Sequence, residues 1–398
     1  MIMNFEFFNP THLIFGAGSL SRLGAVAQGV GKRALLVTGG GSVKRSGVFD
    51  RAVASLQAAG VTVTECAGVE PNPHIATVRR GVQTAREAQC DLVIALGGGS
   101  AMDAAKVMAA AALEQRDPWE MMAHNPAGYR PPAQALPIIT VPTLAATGSE
   151  MNNGAVISDP EAKVKTFVQA ACLYPHSAIV DPELTVSVPT DQTAYGVCDL
   201  ITHVTEGYFN GADATPLQDR FAEGVILTAM THGPKAVANG DDIEARAQVQ
   251  WASVAALNGW VQAGANPAGF PVHMIEHTLS AHHNITHGAG LAVVNPAWMR
   301  FAARHNTPKF VQFAERIFGL SSNGPDDLDC ALAGIDRFEA FLREIGCPTR
   351  LSEVGIGAEL LDRYAADTLT GIVAYQGKLG GRPPMAHEDI VTVLRAAL

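Results

Sequence analysis

The sequence predicts an α/β domain built on a parallel sheet, followed by an all-α domain. Two observations carry that expectation. As far as Pro189, short β-branched runs alternate with segments of helical spacing; beyond it the helical spacing continues and the strand composition stops. In order, "RALLVT" leads into "VFDRAVASLQAAG", "VTVTECAG" into "IATVRRGVQTAREA", and "DLVIALGGGS" into "MDAAKVMAAAAL", with "LPIITVPT" and "SAIVDP" closing the series of strands. Apolar strands separated by helices are the grammar of βαβ units, whose parallel sheet is covered on both faces. "DQTAYGVCDLITHVTEGYF", "LQDRFAEGVILTAM", "ARAQVQWASVAALNGW" and "KFVQFAERIFGL" then read as helices of the second domain. The expected domains are residues 1–189 and 190–398. A ligand site is expected in the cleft between them, where pockets tend to form.

With 398 residues, 47% hydrophobic and 17% charged, the chain has enough apolar material for two cores. Its formal charge of -10 and the absence of any block of lysines or arginines argue against a nucleic acid or an anionic membrane as partner. A small molecule is the expected partner. The six cysteines include no CxxC pair, so neither a disulfide framework nor a thiolate zinc site is expected. No basic leader with an apolar run opens the sequence, and no apolar stretch reaches the length of a membrane span. A cytoplasmic protein is expected.

Two segments share a GGGS core. In "IALGGGSAMDAAK" a buried strand runs into Gly97, Gly98, Gly99 and Ser100 and then directly into an alanine-rich helix. Glycines let a backbone approach a pyrophosphate, and a helix N-terminus offers free N–H groups and the positive end of its dipole. Asp103 falls in the first turn of that helix, where it can face a bound nicotinamide. In "LVTGGGSVKRSG" the strand ends at Thr38, followed by Gly39, Gly40, Gly41, Ser42, Lys44 and Arg45, with no acid in reach. NAD-selective sites commonly place a carboxylate against the ribose 2′-hydroxyl, whereas a 2′-phosphate needs room and donors, so this loop favours NADP.

Five of the thirteen histidines fall within "HMIEHTLSAHHNITH". Upstream, "CDLITH" sets Asp199 and His203 four residues apart, on one face of an expected helix. A carboxylate and an imidazole so placed form half of a divalent-metal site when histidines elsewhere complete it. Spacing alone leaves two pairings open downstream: His273 with His277 at i,i+4, or His273 with His287 beyond the break signal in "HNITHG".

Taken together, "GAGSLSRL", "GGGSVKRSG", "EPNP", "GGGSAMDAAK", "TVPTLAATGSE", "DLITH" and "HMIEHTLSAHHNITHGAGLA" span nearly the whole chain, in an order that resembles the iron-containing (group III) alcohol dehydrogenases of the dehydroquinate synthase-like fold. Among these the chain is most similar to the NADPH-dependent aldehyde reductases and butanol dehydrogenases. The resemblance implies a Rossmann-like first domain and a divalent ion, Fe²⁺ or Zn²⁺, held by Asp199, His203, His273 and His287. It places His277 beside the nicotinamide and Asp103 near the ring; the expected catalytic proton route to the alkoxide runs through water or a relay involving His277. It further implies pyrophosphate contacts from Gly98, Gly99 and Ser100, and cofactor contacts from Asn72, Thr140, Thr143 and Lys165. NAD-using relatives carry an aspartate where Gly39 stands, in keeping with NADP(H). The implied substrate is a small aldehyde or primary alcohol, and the implied assembly a homodimer. Three rival functions are an NAD-dependent polyol or glycerol dehydrogenase, a lyase of the dehydroquinate synthase kind and a non-catalytic nucleotide- or metal-binding module.

Overall fold

The structure, a computed structural model, describes residues 4–124, 128–212, 214–370 and 374–398. The chain divides into two units. One comprises Phe8–Pro189 and Asn239–Asn258; the other comprises Thr190–Ala238, Gly259–Leu398 and residues 4–7.

The first unit holds a six-stranded, wholly parallel sheet. Its strands are β1 (His12–Phe15), β2 (Arg33–Gly39), β3 (Thr62–Val69), β4 (Leu92–Gly97), β5 (Ile138–Pro142) and β8 (Ser177–Val180), in the spatial order β1-β8-β5-β4-β2-β3. A separate antiparallel ribbon is formed by β6 (Gly154–Asp159) and β7 (Val164–Gln169). The helices are α1 (Leu23–Gln28), α2 (Ser42–Arg45), α3 (Val48–Ala58), α4 (Ile75–Glu87) and α5 (Gly99–Ala111).

Both faces of the central strands are buried, and alternate residues serve opposite faces as the pleat requires. Leu35, Val37, Val93 and Ala95 pack with α4 and α5; Ala34, Leu36, Leu92, Ile94 and Leu96 pack with α1 and α3. The chain runs outward from β2 to β3 and then returns to the other side of β2 as β4. The carboxyl ends of β2 and β4 therefore flank a topological switch point, the place where open parallel sheets bind ligands.

The second unit is helical: α6 (Thr190–Asn210), α7 (Pro216–Ala238), α9 (Pro271–His283), α10 (His287–Ala303), α11 (Thr307–Phe318), α12 (Leu328–Glu344), α13 (Leu361–Thr368) and α14 (His387–Ala396), with a two-stranded hairpin of β9 (Ala374–Tyr375) and β10 (Lys378–Leu379). Local chemistry fixes several ends. Asp327 caps α12 by accepting from the Cys330 amide at 3.0 Å, and Gly319 in the left-handed region ends α11. Phe209, Phe310 and Phe313 form the aromatic centre of the unit, the first two stacked at 3.9 Å. Among the described residues no helix is long and apolar enough to cross a membrane.

The segment expected as a helix of the second domain, "ARAQVQWASVAALNGW", departs from that assignment. Its helix, α8 (Ile243–Leu257), belongs to the α/β unit. The physical reason is a close approach: Gly148, at φ +59, brings its backbone so near that a Cβ there would lie 2.9 Å from the Ser253 carbonyl oxygen. Helical spacing reports a buried face and not which core buries it.

Candidate metal and cofactor sites

In the helical unit, α6 presents Asp199, His203 and Glu206 at i, i+4 and i+7, on one face of the helix. Pro271 opens α9, which carries His273, Glu276 and His277. Asn284 then adopts φ +50, ends α9, and allows the chain to restart as α10 with His287 as its first residue. The break signal in "HNITHG" thus returns a second imidazole to the same place.

The acid at the centre is Asp199. Its Oδ1 lies 3.3 Å from His203 Nδ1, 3.6 Å from His273 Nε2 and 3.9 Å from His287 Nε2. Four ligands bound tetrahedrally at about 2.1 Å would sit about 3.4 Å from one another, so these separations fit a single divalent ion. Asp199 Oδ1, His203 Nδ1 and His273 Nε2 are buried and make no hydrogen bond among the described residues. Buried polar atoms are seldom left in that state, and three converging on one point are what a cation would satisfy.

Two buried glutamates orient the imidazoles. Glu206 Oε2 pairs with His273 Nδ1, and its Oε1 accepts the Val272 amide at 2.6 Å. Glu276 Oε2 pairs with His287 Nδ1, while Ser280 Oγ donates to its Oε1 and lies 3.2 Å from the Ile285 carbonyl. Each ring thereby turns its Nε2 toward Asp199, the carboxylate–histidine arrangement common behind metal ligands. Sequence reasoning missed both glutamates. The available signal was an acid three residues after His203 and again after His273, in otherwise apolar helices.

Electrostatics follow the same geometry. Burial would raise the Asp199 carboxyl, but His203, His273 and His287 outweigh it and hold it at about 2. Burial drives His203 down to about 3, against Asp199, so its ring is neutral and able to ligate. Burial also opposes the His273 imidazolium, yet Glu206 and Asp199 raise it to about 9. His277 is 5% exposed, with its ring 5.6 Å from that of His287 and 6.4 Å from that of His273. Its nitrogens group with Glu276 and His287, whereas Asp199, His203 and His273 form the other group.

In the α/β unit the two glycine loops leave adjacent strands. Thr38 pairs with Leu96 and Gly97 with Pro142, and a Cβ on Gly97 would lie 3.9 Å from the Gly39 nitrogen. Gly98 precedes α5 with no side-chain cap, leaving the helix N-terminus open to an anion. Gly99 is required by Thr147, whose Cγ2 would be 2.5 Å from an added Cβ. At Gly98 and Gly40 the protein leaves room: the nearest atoms to a Cβ are Leu144 at 3.6 Å for the former, and nothing within 4 Å for the latter. This is a cradle that side chains would fill, and it fits a pyrophosphate.

The Thr143 amide donates to the Gly97 carbonyl at 3.0 Å, and Ser100 is the second residue of α5. Asn72, at φ +52, forms the turn before α4; Gly41, at φ +101, precedes Ser42 and Lys44 on α2; Lys165 lies opposite Ser158 in the β6–β7 ribbon.

One expectation is corrected here, that the first loop has no acid in reach. Thr140 is fully buried, its hydroxyl 3.3 Å from the Glu150 carbonyl and 3.5 Å from the Ser177 carbonyl. Both carboxylate oxygens of Asp103 are engaged, one by the Ser149 hydroxyl at 2.6 Å and the other by the Val156 amide at 2.9 Å. These bonds tie α5 to the 149–156 segment. Beside Asp103 is a residue that sequence reasoning passed over, Lys106, whose buried ammonium lies 2.8–2.9 Å from four acceptors, Ser149 Oγ, Asn152 O and Oδ1, and Gly154 O. Burial draws that ammonium down to about 8, opposed by Asp103 and Glu150. Finally, the first loop does have an acid in reach: Glu65 on β3, whose Oε1 lies 2.7 Å from Lys44 Nζ.

Residues 10–182 match the family model described as iron-containing alcohol dehydrogenase, and residues 193–398 match the model of that family's C-terminal domain. The chain belongs to the iron-containing alcohol dehydrogenase family. It is 40% identical, over all of both chains, to the probable NADH-dependent butanol dehydrogenase 1 of Bacillus subtilis. It is 37% identical to the NADPH-dependent aldehyde reductase YqhD of Escherichia coli, over 89% of each chain. Among solved structures, NADH-dependent butanol dehydrogenase A from Thermotoga maritima superposes with a TM-score of 0.94 at 37% identity, covering 99% of this chain and 98% of that one. This iron-containing alcohol dehydrogenase family member is therefore an oxidoreductase of the alcohol–aldehyde class that uses a nicotinamide cofactor.

Proposed function

We propose that the chain is a metal-dependent aldehyde reductase that passes hydride reversibly between NADP(H) and a small aldehyde or primary alcohol. The observation that carries the metal half is the convergence of three imidazole nitrogens on Asp199 Oδ1 at 3.3–3.9 Å. Asp199, His203, His273 and His287 would hold Fe²⁺ or Zn²⁺, since a donor set of one oxygen and three nitrogens without sulfur suits either. When bound, the ion supplies Lewis acidity that polarises a carbonyl oxygen, and the nicotinamide supplies hydride. Glu206 and Glu276 fix ring orientation. His277 holds a proton for the alkoxide oxygen.

In the α/β unit, Gly97, Gly98, Gly99 and Ser100 would receive the pyrophosphate, with Asn72, Thr140, Thr143 and Lys165 as further cofactor contacts and Asp103 near the nicotinamide. Gly39, Gly40, Ser42 and Lys44 would receive the adenosine ribose. Gly39 supports NADP(H): no carboxylate stands at the strand end, and the nearest atom to an added Cβ is Val69 O at 3.6 Å. The second reading, NAD(H), is favoured by Glu65 beside the same loop and by the names of the butanol dehydrogenases above. The proposal includes a cytoplasmic homodimer, on the family resemblance.

The test is a steady-state assay of butanal reduction with NADPH and with NADH, on protein whose iron and zinc have been measured. Turnover without either metal overturns the metal reading. A higher kcat/KM with NADH overturns the NADP(H) reading.

A further inference from the structure

The first glycine loop carries an ion pair. Lys44 leaves the loop on α2, and its ammonium lies 2.7 Å from Glu65 Oε1 and 4.8 Å from the centre of the Phe49 ring. Glu65 comes from the neighbouring strand, opposite Leu36, and its Oε1 is also 3.5 Å from the Thr38 hydroxyl. Both side chains remain open to solvent, 47% and 31% exposed. Cation and carboxylate thus stand in contact beside the Gly39–Ser42 turn.

The two dinucleotides ask opposite things of such a pair. A ribose 2′-hydroxyl donates a hydrogen bond, for which a carboxylate is a strong acceptor, whereas a 2′-phosphate needs the ammonium and is repelled by the carboxylate. To serve a 2′-phosphate fully, Lys44 must turn away from Glu65. To serve a 2′-hydroxyl, Glu65 can accept while keeping Lys44. We propose that the Lys44–Glu65 pair sets the cofactor preference of this chain, Glu65 restraining the 2′-phosphate and Lys44 attracting it. The proposal rests on the assignment of this loop to the adenosine ribose and adds to it the residue that opposes NADP(H). A solvent-open ion pair contributes little to folding, so its removal reads out on the ligand and not on stability.

Calorimetric titration with 2′,5′-ADP and with 5′-AMP isolates the 2′-phosphate without requiring turnover. Glu65→Gln is expected to raise the affinity ratio of 2′,5′-ADP over 5′-AMP about tenfold, and Lys44→Met to lower it about tenfold. A ratio within about twofold of the parent protein in Glu65→Gln overturns the proposal. Gly39→Asp separates the two levels of argument. If it lowers the ratio while Glu65→Gln does not, the loop assignment stands and Glu65 is not its determinant. If Gly39→Asp, Glu65→Gln and Lys44→Met all leave the ratio unchanged, the loop assignment falls with the proposal.

Discussion

Glu206 on α6 and His273 on α9 are joined through Oε2 and Nδ1, and both are buried. The pair does two things at once. It ties the helices together, because Glu206 also accepts the Val272 amide at the start of α9, and it aims His273 Nε2 at Asp199. Glu276 repeats the device one helix further on, with His287 of α10. Each helix that supplies a candidate ligand therefore also supplies, or is held by, a carboxylate from its neighbour.

Replacing Glu206 with Gln keeps an acceptor for the Val272 amide and removes the charge behind His273. Metal affinity is expected to fall by about 10–100-fold while the fold persists, the range for losing a group behind a ligand. Competition against a chelator of known affinity, with circular dichroism on the same samples, checks this. Unchanged affinity would make Glu206 a helix tie only.

Metal uptake should release a proton. His273 is raised from 6.5 to about 9, chiefly by Glu206 against the cost of burial, so it is an imidazolium at neutral pH. A metal at Nε2 must displace that proton, so affinity is expected to rise about tenfold per pH unit up to about pH 9 and then level. The same raised pKa stabilises the metal-free fold below about pH 6.5, and that contribution is lost as pH rises through about 9. Calorimetry in two buffers of different ionisation enthalpy counts the proton. Uptake with none released at pH 7 means that the His273 ring is neutral before the metal binds or is not a ligand, and the metal content of His273→Ala separates the two.

Gly98 and Gly99 separate fold from ligand. Gly99→Ala sets a methyl 2.5 Å from Thr147 Cγ2 and is expected to cost about 1–3 kcal/mol in stability, the usual price of overpacking. Gly98→Ala meets only Leu144 at 3.6 Å, so the fold should tolerate it while cofactor affinity drops. Thermal melts and nicotinamide fluorescence titrations of the two variants distinguish these outcomes. Unaltered affinity in Gly98→Ala would move the pyrophosphate elsewhere.

Gly39→Asp should shift cofactor choice toward NAD(H). Gly39 has an ordinary negative φ and no atom closer than 3.6 Å to an added Cβ, so the variant has room to fold. A carboxylate there repels a 2′-phosphate, and the discrimination is expected to be on the order of 1–3 kcal/mol in the ratio of kcat/KM for NADPH over NADH. An unchanged ratio places cofactor choice outside the first loop.

What the sequence disclosed and what it hid divide along a physical line. The strands β2, β4 and β5 are buried on both faces and so read as continuous apolar runs, and Asp199 and His203 share a helical face that i,i+4 spacing reveals directly. His287 was reachable because a break signal lies before it. Glu206, Glu276 and Glu65 were not, because each acts on a residue of another helix or strand, and spacing along one element says nothing of its neighbours. The neighbours of the Thr140 hydroxyl, the Glu150 and Ser177 carbonyls, were hidden for the same reason. The four-residue β1 adds a sixth strand beside β8, too short to carry a pattern of its own.

His277 tests the division of labour among the clustered histidines. It is on α9 one turn after His273, so spacing allows it as a ligand, but its ring lies 6.4 Å from that of His273, and His287, not His277, completes the approach to Asp199 Oδ1. If it carries a proton for the alkoxide, His277→Asn should leave metal content near the parent value and lower kcat about 10²-fold, the lower range for a positioned acid or base. The loss should depend on pH, since an amide cannot titrate where an imidazole does. A histidine that only fills space behaves differently: at 5% exposure its replacement lowers the melting temperature with little change in kcat per folded molecule. Metal analysis, thermal melting and kcat across pH are therefore measured on one preparation. Loss of metal makes His277 a ligand, and an unchanged kcat at every pH removes it from the proton path.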